Sequence, residues 1–184
     1  MTVRGALLAI LTLGPSYGHQ LTTEFVRRTG GLEPINGGQT HATIERLARD
    51  GLVLVAPKDA AGVARVELTA AGRVAAADWL AGPASTGGGR DDLAVRLAIA
   101  ASLPGVGVDR LIAAQRASLL RRRAAASGAD DGPLAPEAAL LVSRAAARID
   151  EELAWLDEAA RLASAIVPVG LAEPPPRGRR RHAE

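Results

Sequence analysis

The sequence predicts a mainly α chain with one small β-hairpin, on three observations. Apolar residues recur at steps of three and four through most of its length. Two short β-prone runs, LVLVA from Leu52 and VARVEL from Val63, flank the turn-forming PKDAAG. Paired glycines and prolines fall between the patterned segments. At 48% hydrophobic content, 184 residues can bury a core. One Phe, one Tyr and two Trp leave that core to alanine, leucine and valine, which suits small-residue helix packing.

Residues 3–13 hold Leu7, Leu8, Ile10 and Leu11 in a run fit for a buried helix, closed by Gly14-Pro15, with Ser16 placed to cap the next helix. Residues 17–29 form that second helix. It carries Leu21, Phe25 and Val26 on one stripe and Arg27 and Arg28 near its end, where the helix dipole favours cations. A turn over 34–38 leads to a third helix beginning at Thr40 or His41 and running to Asp50, with Ile44 and Leu47 inward and Gly51 as the stop. The hairpin follows. Thr69 then caps a fourth helix to about Leu80, with Val74, Ala77 and Leu80 on one side, and Gly82-Pro83 ends it.

The Pro, Ser, Thr and triple-glycine stretch that follows reads as a linker, giving four regions: residues 1–82, linker 83–90, a helical unit 91–167 and a disordered Pro/Arg-rich tail 168–184. Helices are expected over 92–101, 109–126 and 136–166. The last would be about 45 Å long at 1.5 Å per residue. Its stripe through Ala145, Ile149, Leu153, Leu156, Ala160 and Ala163 is too apolar for a solitary helix to leave wet, so Ile149, Leu153, Leu156 and Ala160 are candidate dimerisation residues.

Charge narrows the reading only a little. The net +2 hides a tail from Arg177 with four arginines and one glutamate, leaving about −1 for the rest, so the high pI is no argument for nucleic acid. Zero cysteines remove disulfides, thiolate metal sites and cysteine nucleophiles together and fit a reducing, cytoplasmic setting. No apolar run reaches the roughly 18 residues a membrane helix needs, and no membrane partner is expected. Enzyme readings fare poorly, and no cofactor or metal is expected. His19, His41 and His182 have no zinc spacing, no Gly-x-Ser-x-Gly or Walker glycine loop occurs, and PGVGVD from Pro104 lacks a preceding strand. Trp79 and Trp155 read first as packing residues, with a ligand-pocket role open.

The order helix, helix, turn, helix, hairpin, helix is that of a winged helix-turn-helix, whose third helix can enter the major groove of double-stranded DNA while the hairpin reaches the backbone. With Ile44 and Leu47 inward, a 100° step sets Gln39, Ala42 and Arg46 opposite the core and Thr43 beside them. Gln suits adenine, Arg suits guanine or phosphate, and Thr suits a thymine methyl. Thr40 and His41 in the first turn, and Lys58 and Arg65 flanking the wing, complete the candidate DNA-binding set. For any one of these residues a solvated polar face is an equal account. Arg49 lies toward the helix end that leaves the groove.

Three segments, GPSYGHQL from Gly14, GGQTHATIERLARDGLV from Gly37 and ELTAAGRVAAADWL from Glu67, resemble the PadR family of transcriptional regulators. RDDLAVRLAIAA from Arg90 and EELAWLDEAARL from Glu151 are similar to the longer C-terminal domain of one of its subgroups. Family members commonly carry tyrosine where this chain has His19 and His41, a change that admits pH-sensitive binding. The resemblance implies a homodimer that represses by occupying a pseudo-palindromic operator, with half-sites about one helical turn or slightly more apart, and a small-molecule effector that shifts the two reading heads. The alternative is a winged-helix module that contacts protein and not DNA.

Overall fold

The computed structural model describes residues 2–58, 62–83, 92–127 and 135–172. Among the described residues, seven helices and a three-stranded sheet appear in the order α1 (Thr2–Leu11), β1 (Ser16–Tyr17), α2 (Gly18–Arg28), α3 (Gly37–Arg49), β2 (Val53–Val55), β3 (Arg65–Leu68), α4 (Ala70–Ala81), α5 (Asp92–Ser102), α6 (Val108–Ser127) and α7 (Pro136–Ser164). The mainly α class and the hairpin are as the sequence predicts, and α1 to α4 with the sheet form a winged helix-turn-helix.

α1 is the hub. Gly5 to Leu11 are all buried, because this helix is apolar on every side and neighbours cover it all round. α2, α4 and α5 pack against it. The sheet order is β1-β3-β2, antiparallel throughout, with Val53 opposite Leu68 and Ser16 opposite Val66. Ser16 therefore does not cap α2. It is a buried strand residue whose hydroxyl donates to the Gly14 carbonyl at 3.3 Å, and Tyr17 takes the cap position.

α3 starts at Gly37, three or four residues before the expected point, because Asn36 caps it, its side chain accepting the Gln39 N–H at 2.8 Å. Its end is as expected. Gly51 adopts φ +71°, which lets its own N–H reach the Ala48 carbonyl and the Leu52 N–H reach that of Leu47. Thr69 caps α4, its hydroxyl accepting the Gly72 N–H at 3.0 Å and donating to the Gly51 carbonyl at 2.8 Å. That helix turns Gly72 and Ala76 inward, with Trp79 half-buried, whereas Val74 faces solvent.

Two apolar cores share one helix. Val95, Ile99 and Leu103 extend the core of the winged domain, while Leu93, Leu97 and Ala100 pack against Leu111, Ile112 and Leu119 of α6 and Ile149 and Leu156 of α7. α5 thus belongs to both units. Residues 84–90 of the expected linker and residue 91 of the helical unit lie outside the described residues, as do residues 173–184 of the expected tail. The first part of that tail is ordered, however: residues 168–172 run back along α2, where the Leu171 side chain packs on the winged-domain core.

The candidate dimerisation stripe is spent inside the chain. Ile149 and Leu156 are buried against α5 and α6, and Leu153 and Ala160 are half-buried on the same cluster. The Arg123–Asp150 and Arg116–Asp157 ion pairs and a Gln115–Glu152 hydrogen bond hold α6 and α7 in register. α7 keeps a second apolar face outside: Leu140 (73% exposed), Leu141 (74%), Trp155 (36%) and Leu162 (50%).

Candidate nucleic-acid interface

α3 is two-faced by construction. Thr40, Thr43, Ile44 and Leu47 are buried, and Gln39, His41, Glu45, Arg46 and Arg49 are exposed. Two expected DNA-binding residues are therefore displaced from the outer face. Thr40 is 1% exposed and its hydroxyl takes a 2.9 Å hydrogen bond from that of Thr22, tying α3 to α2. Thr43 is also buried, its hydroxyl turned back to the Gln39 carbonyl at 2.8 Å. Both are packing residues, and Thr43, which the 100° step sets beside the outer face, falls on the core side of it.

The remaining candidates are exposed on α3 and the wing. Gln39 sits in the first turn of α3, fixed at the backbone by the Asn36 cap. His41 and Glu45, one turn apart and both exposed, approach to 3.3 Å (Nε2 to Oε1). Arg46 is exposed, and its Nε donates to the Ala42 carbonyl one turn earlier at 3.0 Å, which leans the guanidinium back along the outer face. Lys58 is exposed beyond β2 on the wing.

Arg65 is drawn into a cluster that sequence reasoning did not assemble. It is the cross-strand partner of Tyr17, its guanidinium carbon lies 5.5 Å from the Tyr17 ring centre, and that ring stacks on His19 at 5.8 Å with 16° between the planes. Cation, phenol and imidazole so form one row along the start of α2. The missed signal was β1: a two-residue strand is too short to show alternation, yet it brings residues 17 and 65 together.

Behind this surface α2 carries a buried ion pair. Glu24 and Arg28 are each 1% exposed at the side chain and meet at 2.9 Å, and Arg27 reaches the same carboxylate at 2.7 Å. Burial alone would raise the Glu24 pKa, but the Arg27 hydrogen bond, the Ala172 N–H and the two guanidinium charges outweigh it and hold the carboxyl below its ordinary value. Burial pushes the Arg28 guanidinium down, against the pull of Glu24, and it remains a cation throughout the working pH range.

Among the described residues no group of three or more His, Cys, Asp and Glu could hold a metal ion, and no helix is long and apolar enough to cross a membrane. Fold and surface together define a winged helix-turn-helix protein with a helical C-terminal arm. No protein-family model and no curated protein matches the chain. Among solved structures it is similar to PadR of Bacillus subtilis in complex with operator DNA (16% identity over 89% of this chain and 99% of that one, TM-score 0.43). It is also similar to the same regulator in complex with p-coumaric acid (18%, 89% and 99%, TM-score 0.41). A third is the Vibrio cholerae virulence activator AphA (19%, 88% and 98%, TM-score 0.38). The resemblance read from the residues names the same family as the first two.

Proposed function

We propose that the chain is a sequence-specific DNA-binding transcriptional regulator that works as a homodimer. One observation carries the reading: α3 is anchored on its inner side by Thr40, Thr43, Ile44 and Leu47 and offers Gln39, His41 and Arg46 on the other, next to a wing bearing Lys58 and Arg65. A rigid helix with such a face can place side chains at base edges, and the wing cations can meet phosphates. The Tyr17–His19–Arg65 row supports a further backbone contact.

The homodimer rests on the outer face of α7. Leu141, Trp155 and Leu162 stand at multiples of seven residues, the spacing of a coiled-coil seam, and remain exposed after the chain has satisfied its own cores. A second copy of α7 matches that seam by symmetry and sets two α3 helices against the two halves of a pseudo-palindromic operator. Occupying a promoter in this way represses it. An effector that moved one head relative to the other would release the DNA.

A fluorescence-anisotropy titration of the DNA upstream of its own coding region, against scrambled DNA of equal length at two salt concentrations, tests the proposal. We expect saturable preference for the upstream DNA and an affinity that falls steeply with salt as counterions are released. Equal, weak binding to both sequences would leave the alternative, a winged-helix module for protein contacts.

A further inference from the structure

We propose that residues 166–172 form a strap that fixes the C-terminal end of α7 to α2, and through α2 sets the position of α3. After α7 ends at Ser164, the chain crosses to the winged domain, where its hydrogen bonds converge on α2 and on the end of α5 and Leu171 packs on the core. Arg28 is the buckle. Its Nε donates to Glu24 Oε2 (2.9 Å), its Nη1 to the Ser102 carbonyl and hydroxyl (2.8 and 3.0 Å), and its Nη2 to the Val169 and Gly170 carbonyls (3.0 Å each). A guanidinium has five N–H groups, and these five bonds use them all.

The strap answers with its own backbone. The Val169 N–H donates to the Ser102 carbonyl at 3.0 Å and the Ala172 N–H to Glu24 Oε1 at 3.0 Å, while Gln20 Nε2 donates to the Ala172 carbonyl at 2.8 Å. Arg27 adds a bond to the Gly170 carbonyl at 3.1 Å. Three consecutive turns of α2, at Gln20, Glu24 and Arg27–Arg28, therefore grip a segment with no secondary structure of its own. A segment held only for its own order would not recruit a buried ion pair, because desolvating two charges is costly unless their geometry and hydrogen bonds are complete. The next link is short. α2 holds α3 through the Thr22–Thr40 hydrogen bond and the packing of Leu21 and Phe25 with Ile44 and Leu47 in one core. A shift at the end of α7, such as a change in how two copies pair, thus reaches α3 without passing through the 84–91 segment.

The chain has no cysteine, so a spin-label pair can be placed uniquely at Arg49→Cys on α3 and Ser143→Cys on α7, both exposed. The labelled protein, diluted into an excess of unlabelled full-length chain, reports the intrachain distance. We expect one narrow distance distribution, broadened at least twofold by Arg28→Met, which keeps length but removes all five donors. Ala172→Pro, which removes the N–H that Glu24 accepts and fixes φ at that position while leaving Glu24 and Arg28 in place, should broaden it too, and it decides the question if Arg28→Met does not fold. Unchanged widths in the folded variants would overturn the strap. Its consequence for DNA, a parallel loss of operator affinity in both variants, rests on the DNA-binding reading above. The distance measurement uses no DNA, so the two can fail separately.

Discussion

The Thr22–Thr40 hydrogen bond and the Glu24–Arg28 pair sit on opposite flanks of α2, and both place polar atoms where a pattern reader expects apolar ones. The spacing holds the signal, although the expected placement of these residues passes over it. Thr40 lies four residues before Ile44 and seven before Leu47, which is the core face of a helix, and Thr43 lies four before Leu47. Likewise Glu24 follows Leu21 by three and Arg28 follows Phe25 by three. Two opposite charges one turn apart on an apolar stripe signal a buried pair, whereas reading Arg28 as a dipole-complementing helix end accounts only for its sign. Thr40→Val should lower stability by about 1 kcal/mol, the usual worth of a hydrogen bond, and leave base preference unchanged, as denaturant titration and DNA binding would check. Because the folded pKa of Glu24 lies below its ordinary 4.5, its contribution is complete above about pH 4.5 and lost as pH falls through the lowered value. Acid unfolding of Glu24→Gln should therefore lack this component of the wild-type pH dependence. Lys58→Ala and Arg65→Ala should each weaken upstream and scrambled DNA alike and reduce the salt slope by about 1, the mark of a phosphate contact.

At the scale of elements, helices were legible because each carries its own signals: the Thr69 cap, the Gly51 stop, the Pro136 start. Partners were not. Periodicity identified the Ile149–Leu156 stripe of α7 but could not say that α5 and α6 of the same chain cover it, since intrachain and interchain seams obey one rule. The register of α4 escaped for a related reason. Its inward residues Gly72 and Ala76 are small because β-hairpin and helix approach closely there, and a Cβ at Gly72 would overlap the Leu52 carbonyl oxygen. Gly72→Ala should thus cost stability although alanine is the better helix former, and thermal unfolding would register the drop. Leu156→Ala should cost about 2–5 kcal/mol, the range for a large-to-small change in a core, without altering the oligomeric state. The strand β1 was invisible at two residues, and with it the meeting of Tyr17 and Arg65.

For the whole molecule, the glycine-rich stretch after Pro83 suggested a boundary that lies outside the described residues, and the way α5 enters both cores was not legible, because its apolar residues on either side of Arg96 do not separate into two stripes. The helical arm is joined to the winged domain through α5 on one side and residues 168–172 on the other. Replacing Leu141 and Trp155 together by glutamate should convert the proposed dimer into folded monomers by analytical ultracentrifugation and abolish preference for a two-fold site, since one α3 would read only one half of it. The central claim, that the outer face of α3 reads base sequence, meets its most direct test in Arg46→Ala titrated by anisotropy against upstream and scrambled DNA. The account predicts a loss of about 1 to 3 kcal/mol in affinity for the upstream DNA that narrows the gap to scrambled DNA, with the circular-dichroism spectrum unchanged. An intact gap in a folded Arg46→Ala protein would contradict it.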